Sequence, residues 1–243
     1  ARTDISLGCE GTRWCPVSKG GAFRKWYGNN EYVLDWEDSG RRVRGYTDDN
    51  GKQLSRPQNT QFFFKGGLTW STITVSSLSM RLLPDGYAFE STGSICSTED
   101  QDLRAELLSF LNSCVVDKAI SAIAPTMNYG EGAIGKLPYL KPSKFTKETP
   151  QELVALAKSD WDGYESSWDF TTLPLLSPEH RGETLEHSYA RLRIHWQSMT
   201  DEMQRLEEEN NRIFIEAYGL QNELSREVPI EEVPLTCNPA YRY

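Results

Sequence analysis

Histidine, nucleophile motifs and long apolar runs are what this chain has least of. Three histidines occur among 243 residues: His180, His187 and His195. The last two lie in an acidic helical pattern with no Ser or Cys nucleophile set beside them, so they read as structural rather than catalytic. There is no P-loop, no G-x-G-x-x-G after a strand pattern and no G-x-S-x-G elbow, which removes the usual signatures of nucleotide hydrolysis, dinucleotide binding and serine hydrolysis. No stretch of about 18 apolar residues could form a membrane helix. Ala1-Arg2-Thr3-Asp4 begins no signal-peptide core, so a cytoplasmic protein without a membrane partner is expected. The five cysteines, Cys9, Cys15, Cys96, Cys114 and Cys237, form no C-x-x-C pair. They are read as reduced thiols, and no metal is expected. Glu207-Glu208-Glu209 reads as a solvated helix face rather than a metal cluster.

What is present is an uneven charge. The net charge is −9, which by itself disfavours a DNA partner, because phosphate neutralisation needs surplus Lys and Arg. Residues 1–147, however, hold 18 Lys and Arg against 16 Asp and Glu, a balance of +2, whereas residues 148–243 hold 8 against 19, a balance of −11. The first part can approach nucleic acid and the second is ill suited to it.

The patterns predict an α+β chain. Strands are expected at Tyr32–Glu37, Gln61–Lys65, Trp70–Val75 and Tyr87–Glu90, rich in β-branched and aromatic residues. Gly40, Asp49-Asn50-Gly51, Gly66-Gly67 and Pro84-Asp85-Gly86 punctuate them, favouring a mixed or antiparallel sheet. Thr98 is the expected N-cap of one helix carrying Leu103, Leu107, Leu111, Val115 and Ile120, closed by Pro125. Thr149-Pro150-Gln151-Glu152 has the form of a capping box opening a second helix, whose face is lined by Leu153, Leu156, Trp161 and Tyr164. The clearest periodicity is the heptad seam Leu185, Tyr189, Leu192, Trp196, Met199, Met203, Leu206, Asn210, Ile213, Ala217 and Leu220, a rod of about 50 Å ending at Gly219. The 170–178 loop would fold this helix back on the preceding one as an antiparallel hairpin, self-association through the seam being the rival arrangement. The expected organisation is a β-rich domain with a packed helix at 1–147, an acidic helical hairpin at 148–226 and a linker at 227–243.

Candidate recognition residues gather in the first part. Gly20-Gly21-Ala22-Phe23-Arg24-Lys25-Trp26-Tyr27-Gly28-Asn29-Asn30 sets cations, amides and aromatic rings between glycines. That is equipment for phosphate, base edge and stacking contacts, although an aromatic-anchored surface loop has the same composition. Arg24, Lys25, Arg41, Arg42, Arg44 and Lys65 are candidates for phosphate or guanine contacts. Asn29, Asn30, Gln58, Asn59, Gln61, Thr69 and Ser71 are candidates for base edges, the amides of the turn Arg56-Pro57-Gln58-Asn59-Thr60-Gln61 being able to pair bidentately with adenine. Trp26, Tyr27 and Trp70 could stack or wedge, unless they are core residues. Asn238-Pro239-Ala240-Tyr241 is one Pro short of the Asn-Pro-Pro-Tyr motif that holds an extruded adenine, and no nucleotide-binding sheet surrounds it, so catalysis is not expected there.

Several long motifs carry a family likeness. Residues 20–30, Phe63-Phe64-Lys65-Gly66-Gly67-Leu68-Thr69-Trp70-Ser71, Leu107-Leu108-x-Phe110-Leu111-Asn112-Ser113, Pro125-Thr126-Met127-Asn128-Tyr129 and Asn210-Asn211-Arg212-Ile213-Phe214 resemble the PglX family. These are adenine-specific DNA methyltransferases of BREX phage defence, related to single-chain restriction-modification methyltransferases. The resemblance implies a C-terminal piece: a target-recognition domain and helical spacer for duplex DNA, working for an upstream domain that binds S-adenosylmethionine. This chain lacks that domain's motifs, so no cofactor is expected within it. Defence-system subunits or a phage inhibitor are further implied partners. The competing reading is a docking scaffold whose acidic heptad helix recruits partner subunits.

Overall fold

The computed structural model describes residues 13–74, 76–126 and 128–241. Cys9, Val75 and Met127, used above, lie outside them. The architecture is mixed α and β: two small three-stranded sheets, then helices ending in a long hairpin.

In the first sheet β1 (Trp14–Ser18) is central. It pairs antiparallel with β2 (Tyr32–Asp35), Val17 opposite Tyr32, and parallel with β5 (Ala88–Phe89). In the second, β3 (Gly67–Trp70) lies between β4 (Met80–Leu83) and β6 (Ile95–Cys96), antiparallel to both. Several strands are shorter than their sequence pattern. The segment after Asp35 turns into α1 (Glu37–Arg44), which opens on three left-handed residues, Asp38, Ser39 and Gly40. The stretch expected as a strand at 61–65 is a 3-10 turn, Thr60–Phe62, started by left-handed Asn59 and followed by left-handed Phe64. Aromatic packing accounts for it: a straight strand would send the consecutive rings of Phe63 and Phe64 to opposite faces, whereas both pack on Trp36, at 4.9 Å and 6.4 Å. β3 stops at Trp70 because Ser71 leaves the ladder to accept from the Gly21 amide at 2.9 Å and donate to the Gly21 carbonyl at 3.1 Å.

The expected single helix after residue 98 is two. Asp100 is the cap of α2 (Gln101–Leu111), its carboxylate accepting from the Asp102 and Leu103 amides at 3.0 Å, while Thr98 only orients Asp100. Asn112 breaks the run: its amide exchanges two 2.9 Å hydrogen bonds with the Met80 backbone, pinning the helix end to β4. Ser113 then caps α3 (Cys114–Ile123). A single turn, α4 (Glu131–Ile134), precedes α5 (Glu148–Asp162). Thr149 is not the cap of α5. Lys147 holds that position without a side-chain bond, because the helix starts two residues earlier than the Thr-Pro-Gln-Glu pattern predicts.

α6 (Leu185–Tyr218) matches the heptad reading at both ends: Thr184 accepts from the His187 amide, and Gly219 closes it in the left-handed conformation. It folds back along α5. Its seam is buried from Leu192 to Ile213 except for the half-buried Trp196, but Leu185 and Tyr189 at its start are exposed. One hydrophobic cluster runs from Trp26, Leu68 and Met80 through Leu108, Val116 and Leu153 to Met203, Phe214, Val233 and Leu235. The core therefore crosses residue 147, and the segment after residue 227 packs into it. A second small cluster, Val17, Phe63 and Ala88 with Trp36 and Phe89 against it, supports the first sheet alone. Phe214 is fully buried, 5.7 Å from Phe110 where α2 meets α6. Phe214→Ala is expected to cost about 3–5 kcal/mol in denaturant unfolding.

Candidate nucleic-acid interface

The loop 20–30 is turned inward. Trp26, in the left-handed conformation, joins the free edge of β4 through Trp26 N to Met80 O at 2.8 Å and Leu82 N to Trp26 O at 2.7 Å. Its indole is fully buried and donates to Glu207 on α6 at 2.6 Å. Lys25 donates to the other oxygen of Glu207 at 3.1 Å. Burial alone would lower the Lys25 pKa, but Glu207 outweighs it and holds the ammonium above its ordinary value. Arg24 reaches Asp160 on α5 at 3.1 Å and Thr236 at 2.5 Å, its guanidinium 5.1 Å over Trp161. Asp160 also accepts from the amides of Thr236 at 2.8 Å and Cys237 at 2.9 Å. Glu207 is thus an acceptor inside the protein, not part of a solvated face.

The other inward candidates follow suit. Tyr27, Asn29, Asn30, Thr69, Trp70 and Ser71 are buried. Asn29 bonds the Ala22 carbonyl, Thr69 pairs with Ser18, and the Trp70 indole donates to the Tyr129 carbonyl at 2.7 Å. Cys15 is disulfide-bonded, which corrects its reading as a reduced thiol, while Cys96, Cys114 and Cys237 are free thiols. Asn238 is committed within the tail: its amide donates to the carbonyls of Ile230 and Val233, and its oxygen accepts from Ala240. Tyr241 donates to the Phe23 carbonyl. The polar groups of Asn238 and Tyr241 in Asn238-Pro239-Ala240-Tyr241 are therefore engaged by the protein's own backbone rather than presented to an extruded adenine.

The outward candidates share a different place. Arg41, Arg42, Arg44, Gln58, Asn59, Gln61 and Lys65 are exposed on the lobe built by β2, α1 and the 53–65 segment. The lobe is braced internally: Gln53 donates to the Arg44 carbonyl, Leu54 N to Tyr46 O, and Arg44 lies 5.5 Å over the Trp36 ring. Arg41 pairs with Asp38, and Arg42 with Asp35 and Glu37, all as exposed ion pairs of small net worth. The side chains of Arg56, Gln58, Asn59 and Gln61 make no hydrogen bond or ion pair among the described residues, so their donors and acceptors face solvent. Beside them opens a groove of about 960 Å³, lined by Tyr32, Trp36, Arg56, Gln58, Asn59 and Phe62 and also by Lys19, Phe89 and Glu131. Lys19, Tyr32, Trp36, Arg56 and Phe62 were not among the sequence candidates. The exposed ring of Tyr32 at the outer position of a short strand is the signal that could have marked them.

Arg81 was missed altogether. Only 1% exposed, it donates to the Arg24 carbonyl at 3.4 Å and leaves Nε and Nη2 unpartnered. Burial and then the neighbouring Arg24 draw its pKa down to about 10.

No protein-family model matches the chain. It is 37% identical over 229 residues, 90% of its length, to the adenine-specific methyltransferase PglX of Lacticaseibacillus casei (strain Zhang). It is 30% identical over 240 residues, 98% of its length, to the adenine-specific methyltransferase BrxX of Escherichia coli O9:H4 (strain HS). The chain spans 19% of each relative. It corresponds to a fragment of a PglX-like protein.

The inward loop and the outward lobe separate by mutation. Glu207→Ala removes the shared acceptor of Lys25 and Trp26 and is expected to destabilise by about 3–5 kcal/mol, whereas Arg44→Ala should stay within about 0.5 kcal/mol. Arg81→Met, which replaces an unpaired buried cation with an apolar chain of similar length, is expected to leave the midpoint of thermal unfolding unchanged or raised.

Proposed function

We propose that this chain is the duplex-DNA recognition part of an adenine-specific DNA methyltransferase in phage defence or restriction-modification. The outer lobe of residues 32–65 would meet the DNA, while the 20–30 loop holds the body together. The observation that carries the reading is the set of unengaged polar side chains on one lobe: Arg56, Gln58, Asn59 and Gln61 beside the exposed Arg41, Arg42 and Arg44. Arginine and amide side chains aimed at solvent are what phosphate contact and base-edge readout require. The exposed pairs of Arg41 and Arg42 can exchange a carboxylate for a phosphate at little cost, because neither pair is buried. Under this reading another part of the enzyme extrudes the adenine and transfers the methyl group from S-adenosylmethionine, and this chain supplies the address.

A second reading keeps one specific observation. Leu176, Leu185 and Ile194, at the end of the hairpin where α6 begins, are each about 70% exposed, which suits a docking scaffold for partner subunits.

Salt titration of duplex binding tests the first reading. Replacing Arg41, Arg42, Arg44 and Arg56 together by Ala should flatten the slope of log K against log salt by roughly 0.9 for each phosphate that is no longer neutralised. An unchanged slope, or no salt-dependent affinity in the parent chain, rejects it. If Leu185 and Ile194 to Asp instead abolish capture of a defence subunit while DNA binding stays absent, the scaffold reading takes its place.

A further inference from the structure

We infer that the groove between β2, the 55–63 segment and the strand region opposite is a site for an unstacked nucleobase of the bound DNA strand. The inference rests on the DNA-recognition reading and adds a ligand class to it.

Three features of the groove carry the argument. The first is its floor. Phe63 and Phe89 close the bottom, locked edge to face at 5.0 Å, and Trp36 lies 4.9 Å from Phe63, so a packed apolar floor exists before any ligand arrives. Its volume, about 960 Å³, is within the range of small-molecule sites. The second is the pair of exposed rings at its mouth, Tyr32 and Phe62, each 43% exposed. Large rings held out of the core beside an open groove offer faces for stacking, which suits any nucleobase. Lys19, which also lines the groove, lies 5.2 Å over the Tyr32 ring.

The third feature is the mixed rim. Gln58 and Asn59 present amide donors and acceptors, Arg56 a guanidinium, and Glu90 and Glu131 carboxylates. Two carboxylates on the wall disfavour a phosphate or other anion inside the groove, and so many polar groups disfavour a lipid chain. A neutral heterocycle with donors and acceptors on its edge satisfies both conditions.

Left-handed backbone occurs beside the same groove, as it does at Trp26 and Asn29 in the inward loop. Asn59 and Phe64 are left-handed without being glycine, at φ 55° and 67°, and Asp38 and Ser39 share that conformation in α1. For a bulky residue such as Phe64 this conformation is an outlier, of the kind that collects at ligand clamps. Here it has a definite geometric result: the turn after Asn59 places Phe62 at the mouth and Phe63 on the floor. The strand source is favoured over a free nucleotide because the exposed arginines of α1 belong to the same lobe, where they can hold the flanking phosphates.

The test is a fluorescence titration of the full chain with two duplexes that differ only in whether one 2-aminopurine is paired or unpaired. The unpaired duplex should bind roughly tenfold tighter and its fluorescence should change on binding. Phe62→Ala and Tyr32→Ala, both at exposed positions, should each erase that advantage while leaving affinity for the fully paired duplex unchanged. Equal affinity for the two duplexes, with neither variant altering it, overturns the base site and leaves DNA recognition standing. Absence of salt-dependent binding to either duplex defeats the recognition reading, and the base site with it. Adenosine monophosphate competing at the groove in a chain indifferent to both duplexes would assign the pocket to a free nucleotide and overturn the strand source.

Discussion

Two buried carboxylates, Asp160 on α5 and Glu207 on α6, hold the arrangement together. A carboxylate removed from water is costly unless its lone pairs are filled, and the cost is several kcal/mol per ion. Asp160 is filled by Arg24 and by the amides of Thr236 and Cys237. Glu207 is filled by Lys25 and the Trp26 indole. The partners come from two stretches far from the hairpin in sequence, the 24–26 loop and the tail, so both acids are satisfied only when the β-rich segment, the helical hairpin and the C-terminal tail meet in one geometry. Such a network specifies an arrangement more than it adds stability, since an apolar replacement of equal shape would often do as well energetically. The aromatic packing around Trp26 supplies the driving force, and the acids fix which packing results.

This accounts for how the sequence misleads. Cations, amides and tryptophans between glycines are the equipment of a nucleic-acid loop, and they are equally what two buried acids demand of a loop that must approach them closely. Gly28 shows the demand: at φ 122°, a Cβ there would lie 2.4 Å from the Arg24 side chain. Local composition cannot tell an inward donor from an outward one, because the acceptors are about 136 and 182 residues away in sequence. The heptad helix was legible for the opposite reason, since its period, Thr184 cap and Gly219 stop are all local. The α2–α3 break sits between these extremes. Asn112 and Ser113 are visible in the sequence, but only the Met80 backbone of a distant strand makes Asn112 end one helix. Of the recognition candidates, those in the turn at 58–61 and on α1, which the structure leaves exposed, were proposed from side-chain chemistry. The groove beside them was not, because it is assembled from strands whose ends depend on tertiary packing around Phe63.

The division of labour in the molecule follows packing rather than the charge boundary. The large core joins sheet, helices and tail into one cluster, while the lobe that carries Arg41, Arg42, Arg44 and the Gln58–Gln61 turn rests on the small cluster of Val17, Phe63 and Ala88. A surface held by a small separate core can vary in sequence without disturbing the main body. That is a useful property for a segment whose task is to discriminate ligands.

The acidity of the helical half then acquires a physical role under the proposed reading. Where the −11 balance of residues 148–243 is exposed on α5 and α6, it repels a polyanion, while the cations of the outer lobe attract one. At physiological salt such fields fade within about 8 Å, so they act only at close range, as an orienting bias on a duplex already near the surface. The hairpin thus contributes twice: its buried acids fix the fold of the reading part, and its exposed acids disfavour docking on the wrong face. A chain with net charge −9 can on this basis engage DNA, because the sign that matters is the one presented by the face in contact.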